Sequence, residues 1–161
     1  MKYCKNCLQP DTRPNSKFNE KGICPACSYH NLLKGVDWEE RNEILMNVIN
    51  TFPRNHNQIY DCIIGVSGGK DSTRQALFVR DKLGLNPLLV CLSYPPEQVA
   101  ERGVNNISNL INLGFNVVLS TTAPKTWRKL MRESFFRFTN WARSTEMALF
   151  ASVPQMAIRY K

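Results

Sequence analysis

YDCIIGVSGGKDS, residues 60–72, is the stretch that decides the fold. An apolar run rich in β-branched residues breaks at paired glycines and continues into a helix-forming segment, which is typical of a strand, a tight loop and a helix N-terminus. Such a loop turns several backbone N–H groups toward one point, where the helix dipole adds to their attraction for an anion. Lys70 adds a positive charge, and Ser67 and Ser72 add hydroxyl groups. The stretch therefore predicts a phosphate site.

The spacing of this loop excludes the common phosphate loop G-x-x-x-x-G-K-[ST]. Gly65 and Gly69 stand too close together, and Asp71 separates the lysine from Ser72. An ordinary Gly-Gly turn capped by Asp71 or Ser72 is the simpler interpretation, but it needs neither Lys70 nor both flanking serines. As it stands, SGGKDS resembles the PP-loop of ATP pyrophosphatases, which split ATP between its α- and β-phosphates and grip the departing pyrophosphate.

Length and composition limit the class of protein. The chain has 161 residues, enough for one ordinary core or for a small module and one domain. Its first residues are polar rather than an apolar signal run, and no stretch approaches the roughly 20 apolar residues of a membrane span. We therefore expect a cytoplasmic protein, whose six cysteines are not a disulfide framework.

The net charge of +8 is unevenly distributed. One basic stretch, residues 125–143, contains a single acid, Glu133. Its six cations are Lys125, Arg128, Lys129, Arg132, Arg137 and Arg143. Such a patch suits an anionic partner such as tRNA, a nucleotide-sugar or an acidic protein surface. A solvated helix face explains it equally well, and charge alone does not choose.

Two C-x-x-C pairs near the start of the chain predict a metal site. The pairs are Cys4 with Cys7 and Cys24 with Cys27. Sixteen residues separate the two pairs, which matches the spacing of a four-cysteine zinc site. Four thiolates around zinc leave no open coordination position, so the predicted role is structural. Iron in a rubredoxin-like site and a redox pair are the alternatives. We place this zinc-ribbon-like module at residues 1–34.

A connecting helix and an α/β domain are predicted to follow. Asp37 is a good N-cap for a helix that ends before Pro53, within a connecting segment at 35–56. Over residues 57–161 the pattern alternates between strands and helices, as a parallel three-layer α/β sheet requires. The predicted strands are 60–66, 87–93 and 116–120, and the predicted helices are 72–83, 96–113, 124–138 and a last one from 143 that Pro154 should kink or interrupt.

The predicted sheet is incomplete. A doubly wound sheet binds its ligand where the strand order reverses, between the first strand and a fourth one, and no fourth strand follows the last apolar helix. Strand 60–66 would then be an exposed edge. We expect either a fragment or truncated product, or another chain that covers this edge.

Further segments carry a resemblance to a family. CKNCLQPDTRP at 4–14, GICPAC at 22–27, DWEER at 37–41 and NWARSTE at 140–146, together with SGGKDS, resemble the N-acetyl sugar amidotransferases of bacterial surface-polysaccharide and lipopolysaccharide synthesis. The resemblance covers nearly all of this chain, although members of the family are much longer. It implies the N-terminal part of a PP-loop ATP pyrophosphatase domain with a HUP, or adenine nucleotide alpha hydrolase-like, fold.

The resemblance also implies a reaction and its partners. The family uses ATP and Mg²⁺ to adenylate the acetamido group of a sugar, so that ammonia converts it into an acetamidino group. No glutaminase signature occurs in this chain; a separate glutaminase and its cyclase-like partner, similar to the pair of histidine biosynthesis, would supply the ammonia. The basic stretch would dock that partner or hold the nucleotide part of a sugar donor.

Site residues follow from the same resemblance. Ser67, Gly68, Gly69 and Ser72 would cradle the pyrophosphate, and Lys70 would counter its charge. Asp71 would either hold Mg²⁺ or cap the helix. The resemblance assigns the adenine to Ser93 and nearby backbone at the end of the second strand. Lys70 and Asp71 are the predicted catalytic residues.

Two other functions remain open at this point. A PP-loop tRNA thiolation enzyme also combines zinc-binding cysteines, SGGKDS and a basic surface. Such enzymes usually carry a cysteine pair in the catalytic domain, whereas no cysteine follows Cys91 here, and Cys62 and Cys91 read as buried small hydrophobes. The third interpretation is a truncated chain that binds a nucleotide or a partner without catalysis.

Overall fold

The computed structural model describes residues 1–52 and 58–160. The chain divides into two compact units, Met1–Pro53 and Arg54–Lys161. None of the described helices combines the length and the apolar character that a membrane span needs.

The first unit contains the cysteines and two helices. Helix α1 spans Pro25–Leu33 and helix α2 spans Trp38–Asn50. The sequence prediction did not include α1, which begins inside the second C-x-x-C pair. The predicted cap of α2 is confirmed, because the Asp37 carboxylate accepts hydrogen bonds from the N–H groups of Glu39 and Glu40 at 2.9 and 3.0 Å.

The second unit alternates strands and helices. In chain order its elements are β1 (Cys62–Gly65), α3 (Lys70–Asp81), β2 (Pro87–Ser93), a 3-10 turn (Pro96–Gln98), α4 (Glu101–Asn112), β3 (Val117–Thr121), α5 (Pro124–Phe138) and α6 (Arg143–Arg159). The predicted bounds of β2 and α5 are confirmed.

Five predicted elements differ from the structure in detail. β1 is shorter than predicted, and β3 begins and ends one residue later. α3 starts two residues early, because Gly69 already takes the extended N-cap conformation. The predicted helix 96–113 is divided, since Val99 and Ala100 are extended between the 3-10 turn and α4. α6 continues through Pro154 as one helix, so the alternative that Pro154 interrupts it is wrong.

The three strands form one parallel sheet in the order β1-β2-β3. Gly65 at the end of β1 is level with Val90, and Ser93 at the end of β2 is level with Thr121. The carboxyl ends of all three strands therefore share one edge of the sheet. In the described part of the chain, β1 has a neighbouring strand on one side alone.

Helices cover both faces of the sheet. On one face, the side chains of Ile64 and Leu89 pack against Ala76 of α3 and Leu110 of α4. Neighbouring residues of a strand point to opposite faces, and a Cβ added to Gly65 would lie 2.8 Å from Cγ2 of Val153 in α6. α6 thus packs on the other face. The predicted class, a parallel three-layer α/β sheet preceded by a four-cysteine cluster, is confirmed.

Candidate functional site

The loop between β1 and α3 depends on Gly68. This residue has a φ of +71°, in the left-handed region that favours glycine. A Cβ there would lie 2.6 Å from the backbone oxygen of Asn106 in α4, too close for any side chain. Gly69 differs, since its φ is −70° and the nearest atom to an added Cβ is 3.5 Å away. Gly68 therefore fixes the path of the loop against α4.

The N-terminus of α3 opens onto this loop. Gly69 is its N-cap, and no side chain caps the helix, so the first N–H groups of α3 have no partner within the helix. The predicted alternative that Asp71 is the cap is therefore wrong; Asp71 lies in the first turn. Lys70 and Asp71 are both exposed. The arrangement presents backbone donors and one lysine to solvent at the carboxyl edge of the sheet.

Hydroxyl groups surround the same turn. Ser72 and Thr73 donate hydrogen bonds to the carbonyl groups of Gly69 and Gly68, at 3.2 and 3.3 Å. The Ser67 hydroxyl accepts a long hydrogen bond of 3.4 Å from the N–H of Gly69. Ser67 is exposed, so its hydroxyl stands at the open side of the loop. The structure brings the six predicted loop residues together in one turn.

Ser93, the remaining predicted ligand, lines a separate cavity. Its hydroxyl donates to the carbonyl of Tyr94 at 3.2 Å. The cavity has a volume of about 460 Å³ and lies between the segments that follow β2 and β3. Its wall includes Val99, Val104 and Thr122, which sequence reasoning missed. The sequence held a signal for them, because Thr122 directly follows β3 and the two valines come after β2, and ligands bind beyond the carboxyl ends of parallel strands.

The four cysteines of the first unit form one cluster. The Sγ atoms of Cys4, Cys7, Cys24 and Cys27 all lie within 4.8 Å of one another. The Sγ atoms of Cys7 and Cys24 are 3.6 Å apart, close to the separation of about 3.8 Å that a tetrahedron of Zn–S bonds of about 2.3 Å requires. The donor set therefore fits a tetrahedral metal ion such as zinc, and thiolates also hold iron.

Local backbone structure aims the sulfur atoms at one point. The Cys4 sulfur accepts from the N–H groups of Cys24 and Asn6 at 3.2 and 3.4 Å. Cys24 is the N-cap of α1, and its sulfur accepts from the N–H of Cys27 at 3.4 Å. A helix N-terminus stabilises a thiolate. The N-terminus of α1, a helix that the sequence prediction had missed, therefore favours the thiolate form of the second pair of cysteines.

These hydrogen bonds act on the thiol groups. Burial raises the pKa of Cys4, but the N–H donors of Cys24, Asn6 and Cys7 together outweigh it and lower that pKa to about 6. For Cys7 the N–H of Gln9 lowers the pKa, but the neighbouring sulfur atoms of Cys27 and Cys24 raise it to about 12. Metal binding must therefore displace protons from the cluster.

The two cysteines of the second unit lie in β-strands instead of in the four-cysteine cluster. Cys91 is buried in β2, and Cys62 is half-buried in β1. Burial raises the pKa of both thiols, and Asp61 adds to the effect at Cys62. A protonated thiol is a poor nucleophile. The interpretation of Cys62 and Cys91 as packing residues agrees with these surroundings.

The predicted basic stretch lies mainly on α5. All six of its cations are exposed. In the described part of the chain, the one salt bridge among them joins Arg137 to Glu133 at 3.6 Å. Arg132 and Arg143 stand over the rings of Phe136 and Phe138, at 5.6 and 4.6 Å from the ring centroids. Most of this positive charge is thus open to an anionic partner.

Comparison with known proteins gives little to add to this geometry. No protein-family model matches the chain. No curated protein matches it either. Among solved structures, U34-tRNA thiolase NcsA from Methanococcus maripaludis with its 4Fe-4S cluster is similar, with a TM-score of 0.31, 17% identity and coverage of 84% of this chain. This chain spans about half of that protein, 51% of its length. A TM-score this low supports no conclusion about function.

Proposed function

We propose that the second unit binds ATP at the SGGKDS loop and takes part in an adenylation reaction of the PP-loop ATP pyrophosphatase type. The observation that carries the proposal is the loop itself. Gly68 holds it in a left-handed conformation against α4, and it leads into the uncapped N-terminus of α3 at the carboxyl edge of a parallel sheet. Backbone donors at a helix N-terminus are a ready site for phosphate oxygens.

In this reaction an acceptor oxygen attacks the α-phosphorus of ATP, and the bond to the bridging oxygen breaks as pyrophosphate leaves. The N–H groups at the start of α3 and the hydroxyls of Ser67 and Ser72 bind the pyrophosphate. Lys70 offsets its negative charge, which stabilises the leaving group. Mg²⁺ would neutralise further phosphate charge, and Asp71, exposed in the first turn of α3, is its proposed carboxylate ligand.

The acceptor we propose is the acetamido group of a surface-polysaccharide sugar, as the resemblance to N-acetyl sugar amidotransferases implies. An amide oxygen is a poor leaving group, and adenylation of this oxygen lets it leave later as part of AMP. Ammonia then attacks the activated carbon, AMP departs, and loss of a proton leaves the acetamidino group. The ammonia would come from a partner glutaminase with its cyclase-like subunit.

The second candidate is adenylation of tRNA before thiolation. The exposed cations of α5 favour this candidate, because phosphate backbones bind such surfaces. The raised pKa values of the Cys62 and Cys91 thiols make neither a ready sulfur carrier. The sulfur would then have to come from a partner or from a cluster at the four-cysteine site.

Binding of ATP is tested first. We expect Lys70→Ala to weaken ATP binding by about 10- to 100-fold, since a hydrogen bond to a charged group contributes about 1.5–3 kcal/mol. The matched control is Lys82→Ala, which removes the same charge at the C-cap of the same helix and should leave affinity unchanged. Calorimetric titration measures both. Equal affinities for the two variants would refute the loop as the ATP site.

The acceptor is identified by exchange of labelled pyrophosphate into ATP. Exchange that depends on an acetamido sugar supports the amidotransferase proposal, and exchange that depends on tRNA supports thiolation. ATP binding that needs Lys70, without exchange under either condition, assigns this chain to binding alone. The experiment should be repeated with the candidate glutaminase and cyclase-like subunits present.

A further inference from the structure

A second cavity lies at the start of α5. It has a volume of about 170 Å³ and is lined by Pro95, Glu97, Gln98, Pro124, Trp127 and Arg128. The 3-10 turn after β2 forms one wall, and the first two turns of α5 form the other. Neither the loop nor the four-cysteine cluster contributes to it.

The side chains at the N-terminus of α5 carry positive charge, where negative charge is usual. A helix N-terminus carries a partial positive charge, which Asp and Glu ordinarily offset. The first turn of α5 has no acidic residue, and no side chain caps the helix at Ala123. Lys125, Arg128 and Lys129 add positive charge there instead. In the described residues none of the three forms a salt bridge.

A buried donor on a residue that lines the cavity adds an independent observation. Trp127 is 1% exposed. Its ring meets that of Tyr94 edge-on, with centroids 5.4 Å apart. The indole N–H of Trp127 is buried and has no acceptor among the described residues. An unsatisfied buried donor costs about 1–3 kcal/mol, so an acceptor at this position would be strongly favoured.

From these three observations we infer that the cavity binds an oxyanion group, a carboxylate or a phosphate. The Arg128 guanidinium and the open N–H groups of α5 attract its charge, and the Trp127 indole donates to one of its oxygen atoms. The site is separate from the SGGKDS loop, and the inference does not rest on the proposed function.

Glu97 allows an anionic ligand to be distinguished from a cationic one. Glu97 lines the cavity from the 3-10 turn, and its negative charge repels an anion. A cationic or donor ligand would instead be attracted by Glu97 and repelled by Arg128. The two residues therefore respond in opposite directions to the two kinds of ligand.

The indole N–H signal of Trp127 in a ¹H–¹⁵N NMR spectrum tests the inference. The full chain contains three tryptophans, so three indole signals are expected. Trp38 and Trp141 are exposed, and Trp38→Phe and Trp141→Phe identify their signals without changing Trp127. Inorganic phosphate and acetate are titrated separately, with sodium chloride at the same ionic strength as the reference. We expect a saturable shift of the Trp127 signal with at least one of them; the one that saturates shows whether the site takes a phosphate or a carboxylate. No saturable shift with either would overturn the inference.

Variants of the charged residues complete the test. Arg128→Gln should weaken oxyanion binding about tenfold, whereas Arg132→Gln, an equal loss of charge one turn further along α5, should have little effect. Glu97→Gln should strengthen binding about threefold, because it removes a nearby repulsive charge. Equal weakening by Arg128→Gln and Arg132→Gln would mean an unspecific ion atmosphere, and weaker binding of the anion to Glu97→Gln would mean that Glu97 does not repel it; either result would overturn the inference. Lys70→Ala should not alter this binding, which separates the site from the ATP loop.

Discussion

At the residue scale, Gly68 is the residue of the candidate loop that should tolerate substitution least. Alanine at this position must adopt a left-handed backbone, which costs about 1–2 kcal/mol, and its Cβ would press on Asn106. We expect Gly68→Ala to lower the free energy of unfolding by at least this amount and to weaken ATP binding, as measured by urea denaturation and by calorimetry.

Gly69→Ala is the matched control for that prediction. The φ of Gly69 suits any residue, and an added Cβ has room, so its free energy of unfolding should change by less than about 0.5 kcal/mol. If the two variants proved equally stable, the left-handed turn and its close approach to α4 would not be features of the folded protein.

At the scale of elements, the contact between α6 and β1 passes through Gly65. A Cβ there would lie 2.8 Å from Cγ2 of Val153, so Gly65→Ala should destabilise the second unit by about 1–3 kcal/mol. Val153→Ala removes the obstructing methyl groups, and in its presence Gly65→Ala should cost markedly less. A double-mutant cycle in urea denaturation measures the coupling. Additive costs would mean that α6 does not lie against β1 at this point.

At the scale of the whole molecule, the two units should respond differently to metal. Among residues 1–52 the buried ones are three cysteines, with Phe18 and Ile23 packed against them, so we expect metal binding to supply much of the folding energy of this unit. We expect one zinc or iron atom per chain by elemental analysis. A chelator should remove the NMR dispersion of 1–52 while that of 58–160 persists.

A pair of cysteine variants tests the ligand assignment. Cys4→Ser should abolish metal binding, because Cys4 is fully buried in the cluster. Cys62→Ala, which removes a thiol from the second unit, should retain the full metal content. Loss of metal from Cys62→Ala, or its retention in Cys4→Ser, would contradict the assignment of the four ligands. Metal affinity should also fall as the pH is lowered, since the ligands must be thiolates.

The sequence predicted the parts whose signals are local. Paired glycines after an apolar run located the loop, and the C-x-x-C spacing located the cluster. The spacing could not reveal that Cys24 begins a helix, since its sulfur acts as the cap in place of a hydroxyl or a carboxylate. The cavity beside Trp127 was equally out of reach, because it depends on how the segment after β2 meets α5 in space.

The position of β2 in the sheet has a consequence for the motions of the second unit. β2 has a strand on each side, and its first five residues are buried. Its amide hydrogens should therefore exchange with deuterated solvent most slowly of the three strands, at a rate set by global unfolding. Those of β1 that face away from β2 should exchange by local opening. The candidate phosphate loop would then begin at the edge strand of the sheet that the described residues form, one strand away from its most protected backbone.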